Sequence, residues 1–360
     1  KKMNSKEIYL ENILNQLSSD KGLSLNESAE LFRNIIEDKI SKLYVINILK
    51  EISSRGETTE EILAMIQVIT EKSITIKPNI KKFLIDICGT GGDRIKTFNI
   101  STASAIIASS AGSFIAKHGN RSSSGICGSA DFLEFIGLNL NNSPDRVSRE
   151  IEHLGIGFLF APVFHPLLKN VSQLRKDIGI RTIFNIAAPL CNPCDNLTGQ
   201  IIGVSDPLLL EKLPSVAKKL NKKVYIVYSN DGFDEISNTG TNDIVYIDQG
   251  EINKFKLNPF DFGLERASLS DLSIKNKLDS IKLTLESIYG LANKPTEDIV
   301  ALNSAPVLVL SNIAKNIKEG IDISRSVIRE EKARKKLENL ISYSGEREKL
   351  KEAEKLFNIS

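Results

Sequence analysis

Three short stretches of this 360-residue chain concentrate groups that can grip a polyanion. Gly89-Thr90-Gly91-Gly92-Asp93 sets three glycines within four positions. Such a run reaches backbone conformations closed to other residues, so amide N–H groups can close around phosphate oxygens. Asn99-Ile100-Ser101-Thr102 follows where a helix should begin. There the unpaired N–H groups and the positive end of the dipole favour an anion, and hydroxyls add donors. Taken alone, the glycines would serve as a tight turn and Ser101 as a cap. The second cluster, Lys117-His118-Gly119-Asn120-Arg121-Ser122-Ser123-Ser124-Gly125, packs two cations, an imidazole, an amide and three hydroxyls between glycines. Solvated loops seldom carry so many donors for a polyanionic ligand. The third element is Asp234-Glu235, adjacent carboxylates after the turn-rich Ser229-Asn230-Asp231-Gly232. Alone the pair would be solvated; beside a diphosphate, its hard oxygens suit Mg²⁺.

Two familiar phosphate motifs do not fit. The third glycine of a dinucleotide fingerprint would fall at Arg94, with no acidic residue about 20 positions onward. No segment ends in the Gly-Lys-Ser/Thr of a P-loop.

The surrounding pattern says how these stretches are carried. From about Lys6 to Lys72 apolar residues recur at helical steps, and Ser24 to Glu27 and Thr58 to Glu61 each read as a capping box. After Lys77-Pro78 short apolar runs alternate with helix-like segments: Phe83 to Cys88, Phe114 to Ala116, Gly157 to Phe160, Ile201 to Val204 and Val224 to Tyr228. This alternation predicts a mostly parallel sheet flanked by helices, with the glycine loop and the lysine cluster each following a strand. Ile244 to Asp248 and Ile252 to Leu257 flank Gln249-Gly250-Glu251 as an edge hairpin. From Ser270 onward the pattern is helical, with Lys and Glu spaced along an exposed face. The expected fold class is therefore α/β, a small all-helical domain plus a larger α/β domain. The helical domain spans 1–75.

Composition narrows the function classes. Lys and Arg number 47 against 45 Asp and Glu, so the net charge is +2 and gives no general reason to bind nucleic acid or a membrane. An anionic ligand must be held locally. The apolar share is 41% and the charged share 26%, an ordinary globular balance. Four cysteines, Cys88, Cys127, Cys191 and Cys194, do not make a disulfide framework in a chain this long, and no apolar run has signal or membrane-spanning length. A cytoplasmic protein is expected. Cys191-Asn192-Pro193-Cys194 lacks the further ligands that zinc requires.

Taken together, these motifs, with Gly128-Ser129-Ala130-Asp131, His165-Pro166, Arg175, Gly179 to Asn185 and Asp261-Phe262-Gly263, closely resemble the anthranilate phosphoribosyltransferases over nearly the whole chain. That resemblance implies transfer of the phosphoribosyl group of phosphoribosyl diphosphate (PRPP) to anthranilate, Mg²⁺ as cofactor, and a homodimer formed through the helical part. It also implies that a helical segment at about 166–190 joins the helical domain, which leaves 76–165 and 191–360 to the α/β domain. By position, it implies that Gly89, Gly92, Asp93, Thr97, Asn99, Ile100, Ser101, Thr102, the segment Lys117, His118, Gly119, Asn120, Arg121, Ser122, Ser123, Ser124 and Gly125, and Ser129 hold PRPP. Ser101, Asp234 and Glu235 would ligate the metal, and Gly89, His118, Asn120, His165 and Arg175 would line the anthranilate path. A structural hydrogen bond is the alternative for His165, and an exposed surface position for Arg175. No residue is assigned as base or nucleophile. The chain departs from the family at Ala188-Pro189-Leu190-Cys191-Asn192-Pro193, where the family has Gly-Pro-Leu-Thr-Asn-Pro; the added methyl of Ala188 could tighten the acceptor pocket. Alternatives are a pyrimidine nucleoside phosphorylase and a non-catalytic PRPP-binding paralogue.

Overall fold

A computed structural model describes residues 5–19, 21–92, 95–122 and 126–359. The chain begins with helices α1 (Ser5–Leu17), α2 (Leu25–Ile36), α3 (Lys42–Arg55) and α4 (Thr59–Glu71). Next come β1 (Leu84–Gly89), α5 (Ile100–Ser110), β2 (Phe114–Gly119), α6 (Ser129–Phe135), α7 (Pro144–Leu154), β3 (Ile156–Phe160) and the single turn α8 (Ala161–Phe164). Helices α9 (Lys169–Ile178) and α10 (Ile183–Ala187) precede β4 (Gly199–Gly203), α11 (Leu209–Lys219), β5 (Lys223–Ser229), β6 (Asn242–Asp248) and β7 (Glu251–Leu257). The last stretch is helical: α12 (Leu269–Leu272), α13 (Lys277–Tyr289), α14 (Lys294–Leu310), α15 (Ile317–Arg329), α16 (Lys332–Ser344) and α17 (Arg347–Phe357).

Two compact units result, Lys1–Ile74 with His165–Cys191, and Thr75–Phe164 with Asn192–Ser360. In the first, α2 packs on α4, α1 on α3, and α10 on α4. Both capping boxes form: Ser24 and Thr58 accept the N–H of the glutamate three residues on, and Glu27 and Glu61 accept theirs in return. Glu61 is fully buried and also takes the Leu23 N–H and the Arg55 guanidinium at 2.6 Å. One carboxylate thus ties the entry of α2, the end of α3 and the start of α4.

The second unit holds a seven-stranded sheet in the order β3-β2-β1-β4-β5-β6-β7. Strands β1 to β5 pair in parallel and β6 and β7 add antiparallel at the edge. The edge hairpin turns through Gln249 and Gly250, with φ of 48° and 80°, the left-handed pair that a two-residue hairpin needs. A mostly parallel sheet flanked by helices beside a small helical unit is the expected fold class. Helix α14 breaks the amphipathic pattern expected of the C-terminal stretch. Its Ile299, Val300, Ala301, Leu302, Val307 and Leu308 are all fully buried, because it lies against both α5 and α15. Among the described residues no helix is long and apolar enough to cross a membrane.

Candidate active site

Strand β1 delivers its C-terminal end to the glycine turn. Gly91 and Gly92 have φ of 69° and 89°, a region that side chains disfavour. Thr90 donates its N–H to the carbonyl of Gly203 at 2.9 Å, which anchors the turn to the end of β4. The Gly91 N–H, expected to face phosphate, instead donates to Asp234 Oδ2 at 2.8 Å. The glycine turn and the acidic pair are therefore one site. A Cβ on Gly89 would lie 2.1 Å from the same carboxylate oxygen, so any side chain there would displace that carboxylate.

Helix α5 and strand β2 complete the centre. Lys117 is 4% exposed, and its Nζ donates to the Ile87 carbonyl at 2.6 Å and to Ser101 Oγ at 3.3 Å. Glu235 receives the Ser101 N–H, and its pKa stands well above the usual carboxylate range. Burial is the first cause and the neighbouring Asp234 the second, with Lys117 and the Ser101 N–H pulling the other way. Lys117, Ser101, Asp234, Glu235 and the Gly91 turn thus share one locus. Thr102 is buried, and its hydroxyl has no hydrogen-bond partner among the described residues. The Asn99 side chain at the start of α5 donates to Ser280 Oγ at 3.2 Å and to Cys127 Sγ at 3.6 Å. Ile100 lies wholly in the core, which leaves only its backbone for a ligand. Thr97 forms an antiparallel bridge with Ser273.

Two crowded carboxylates, one with its pKa raised by burial and by its neighbour, form a locus that a divalent cation would relieve. The Ser101 hydroxyl adds a third hard oxygen. Among the described residues no group of three or more His, Cys, Asp or Glu is placed to hold a metal. An ion here would draw on water and phosphate oxygens, the habit of Mg²⁺, so the donor set fits that ion.

The lysine cluster runs from β2 into α6. A Cβ on Gly119 would meet Ser129 Oγ at 2.4 Å. Asn120 accepts the Arg121 N–H at 2.7 Å through its side chain, and its carbonyl accepts the Ser129 hydroxyl at 3.3 Å. Asp131 gathers the N–H groups of Ser122 and Gly128. Arg121 forks onto Glu134 at 2.6 and 2.8 Å, so its guanidinium is already paired. His118 is buried at the strand end. Asp93, Ser123, Ser124 and Gly125 lie outside the described residues.

His165 and Arg175 belong to the helical unit. His165 is 3% exposed, its Nδ1 lies 2.6 Å from Ser73 Oγ, and burial lowers its pKa to about 4, so it is neutral at physiological pH. It links the end of α4 to the returning segment. Arg175 is half-buried on α9, 5.5 Å from the Phe184 ring centre, and its Nε has no hydrogen-bond partner among the described residues. Burial lowers the pKa of this guanidinium. Ala188 has φ −52° and ψ −43°, a helical turn that an alanine adopts without strain. Cys191 and Cys194 are buried thiols outside any disulfide, and burial pushes the Cys194 thiol up to about 12, which makes it a poor thiolate.

Two residues of the site were missed by sequence reasoning. A Cβ on Gly203 would fall 1.5 Å from the Asp234 carbonyl, so the acidic pair can sit on β4 only because that position is glycine. A glycine at the end of an apolar strand is the available signal, since it marks close backbone approach. Ser205 Oγ donates to the Gly91 carbonyl at 2.8 Å; a lone serine after a strand gives no such signal.

Known proteins resemble this chain in sequence and in fold. The model of a glycosyl transferase family, a/b domain, matches residues 81–334. An anthranilate phosphoribosyltransferase of Persephonella marina is 37% identical over 332 residues, 92% of this chain and 98% of its own. The crystal structure of the Thermus thermophilus anthranilate phosphoribosyltransferase superposes with a TM-score of 0.84 at 32% identity, covering 92% of this chain and 98% of that one. The Saccharomyces cerevisiae enzyme, solved in complex with PRPP and Mg, gives 0.85 at 26% identity, with 94% and 98% covered. With this family model over most of its length and near full-length likeness to these transferases, the chain belongs to the anthranilate phosphoribosyltransferase family.

Proposed function

We propose that the chain transfers the phosphoribosyl group of PRPP to the amino group of anthranilate, giving N-(5-phosphoribosyl)anthranilate and diphosphate, a step of tryptophan biosynthesis. The observation that carries this reading is the shared locus of the Gly91 turn, Lys117 with Ser101, and Asp234-Glu235. The α/β unit takes PRPP. Gly89, Gly92, Thr97, Asn99, Ser101 and Thr102 bind from the cradle side, and Lys117 to Ser122 with Ser129 from the cluster side. Ser101, Asp234 and Glu235 would hold Mg²⁺, which when bound neutralises charge on the diphosphate.

Displacement at the anomeric carbon leaves positive charge on the sugar and negative charge on the departing diphosphate. Lys117 and the loop amides stabilise that leaving group, each well-placed donor contributing about 3 kcal/mol. An arylamine attacks as the neutral base and sheds its proton afterwards, so no strong base is required. By family resemblance, Arg175, His165, His118, Asn120 and Gly89 are the residues assigned to anthranilate. The half-buried Arg175 guanidinium suits the anthranilate carboxylate, which would supply an ion partner. The active form is a homodimer joined through the helical unit, in the cytoplasm.

The test follows anthranilate fluorescence after addition of PRPP and Mg²⁺. Loss of fluorescence that needs both additions is expected. Persistent fluorescence alongside phosphorolysis of thymidine or uridine would reassign the chain to the nucleoside phosphorylases, and PRPP binding without turnover would make it a non-catalytic paralogue.

A further inference from the structure

The hydrogen-bond ladder between β1 and β2 stops short. The two strands pair at Leu84 with Phe114 and at Ile85 with Ile115, and no further. Yet β1 stays paired to β4 as far as Gly89, and β2 to β3 as far as Gly119. A seam therefore opens between the two strand ends that carry the glycine cradle and the lysine cluster.

Side chains, not backbone, satisfy the polar groups along this seam. The His118 N–H donates to Asp86 Oδ1 at 3.2 Å. The Ile87 carbonyl is taken by Lys117 Nζ at 2.6 Å, and the Ala116 carbonyl by the Asn192 amide at 2.9 Å. Alternate residues of a strand face opposite sides. Ile85, Ile87 and Ile115 belong to the core that contains α5, whereas Leu84 and Ala116 belong to the core that contains Val147 and Ile151 of α7. Lys117 thus crosses the seam on the α5 face and Asp86 crosses it on the other. Asp86 is fully buried, and its second oxygen is held by the Gln200 amide at 3.3 Å from β4. Its partners lie within the sheet and the Asn192 segment that flanks it: the His118 N–H of β2, the Gln200 amide of β4 and the Asn192 side chain.

We propose that Asp86 is a positioning residue: by accepting the His118 N–H across the open seam, it sets the spacing and register of the β1 and β2 ends, and with them the placement of Lys117 against the cradle. A ladder continued to the strand ends would hold the strands at the ordinary spacing of about 4.8 Å and leave Lys117 no carbonyl to reach across to. This rests on the PRPP reading of the site, and the test separates the two.

PRPP binding is measured by titration calorimetry and turnover by anthranilate fluorescence, for wild type, Asp86→Ala, Asp86→Asn, Lys117→Met and the double variant Asp86→Ala with Lys117→Met, with melting curves to establish folding. Asp86→Ala leaves the buried His118 N–H without its acceptor and should weaken PRPP binding at least about tenfold. Asp86→Asn keeps an oxygen for that N–H and should return affinity to within about threefold of wild type. Because Asp86 acts through Lys117, the alanine change should add little on top of Lys117→Met, a coupling that loss of stability alone does not produce. Should the alanine variant not fold, Asp86→Ser carries the same expectation, since its shorter side chain cannot span to the N–H. A folded alanine or serine variant with wild-type PRPP affinity overturns the proposal, as do losses at Asp86 and Lys117 that simply multiply. Wild type that neither binds nor uses PRPP would instead overturn the functional reading beneath it.

Discussion

At the scale of single residues, the site depends on atoms that are missing as much as on atoms that are present. Gly89 and Gly203 both leave room for Asp234, one for its carboxylate and the other for its backbone. Gly89→Ala would push the Asp234 carboxylate off the Gly91 N–H. Displacements of about 1 Å in a transfer site cost on the order of 100-fold, so kcat/KM should fall by roughly that factor while the melting temperature barely moves. An alanine variant with normal turnover would show that the carboxylate can move without consequence. Arg175 makes the complementary case, a guanidinium partly stripped of water and lacking an ion pair among the described residues. Arg175→Ala should raise the anthranilate KM about 10- to 100-fold, the range for hydrogen bonds to charged groups, and leave the PRPP KM nearly unchanged. Steady-state kinetics with each substrate varied in turn would reveal a wrong assignment as two unaltered constants. Glycines, cations and paired carboxylates were legible in the sequence because their chemistry is local. That the Gly91 N–H faces Asp234 was not, since the two lie 143 residues apart in the chain.

At the scale of elements, the helix starts and the edge hairpin followed from local rules, because caps and two-residue turns are decided within a few residues. Helix α14 did not. Its burial is imposed by α5 and α15, which no window of its own sequence contains. The loop before α7 offers a test of tertiary coupling. Glu150 on α7 is buried, accepts hydrogen bonds from Ser344 at the end of α16 and from Asn142, and has its pKa raised by burial to about 7 from 4.5. A folded-state pKa above the unfolded value favours the protonated form. The stability linked to Glu150 is therefore complete below pH 4.5 and is lost as pH rises through 7, by at most about 3 kcal/mol. Glu150→Gln keeps the hydrogen-bonding shape without the charge, so it should raise the melting temperature at pH 8 and leave it little changed at pH 4. Equal shifts at both pH values would mean that Glu150 does not carry this charge cost.

At the scale of the whole molecule, alternation of strands and helices told of a parallel sheet, and an uninterrupted helical run told of a separate helical unit. Return of residues His165–Cys191 to that unit was legible only through family resemblance, because a helix in mid-chain carries no local mark of which body it joins. The same limit applies to the seam between β1 and β2. Asp86 passes unremarked within the run Phe83 to Cys88, because its partner, the His118 N–H, belongs to the neighbouring strand. The central claim is that cradle, lysine and acidic pair grip one magnesium-bearing ligand. Titration calorimetry of PRPP in the presence and absence of Mg²⁺, on wild type, Lys117→Met and Glu235→Gln, tests it most directly. One PRPP per chain is expected, with affinity falling about tenfold or more on removal of the metal, of the ammonium or of the carboxylate charge. Undiminished affinity in both variants would contradict a shared grip.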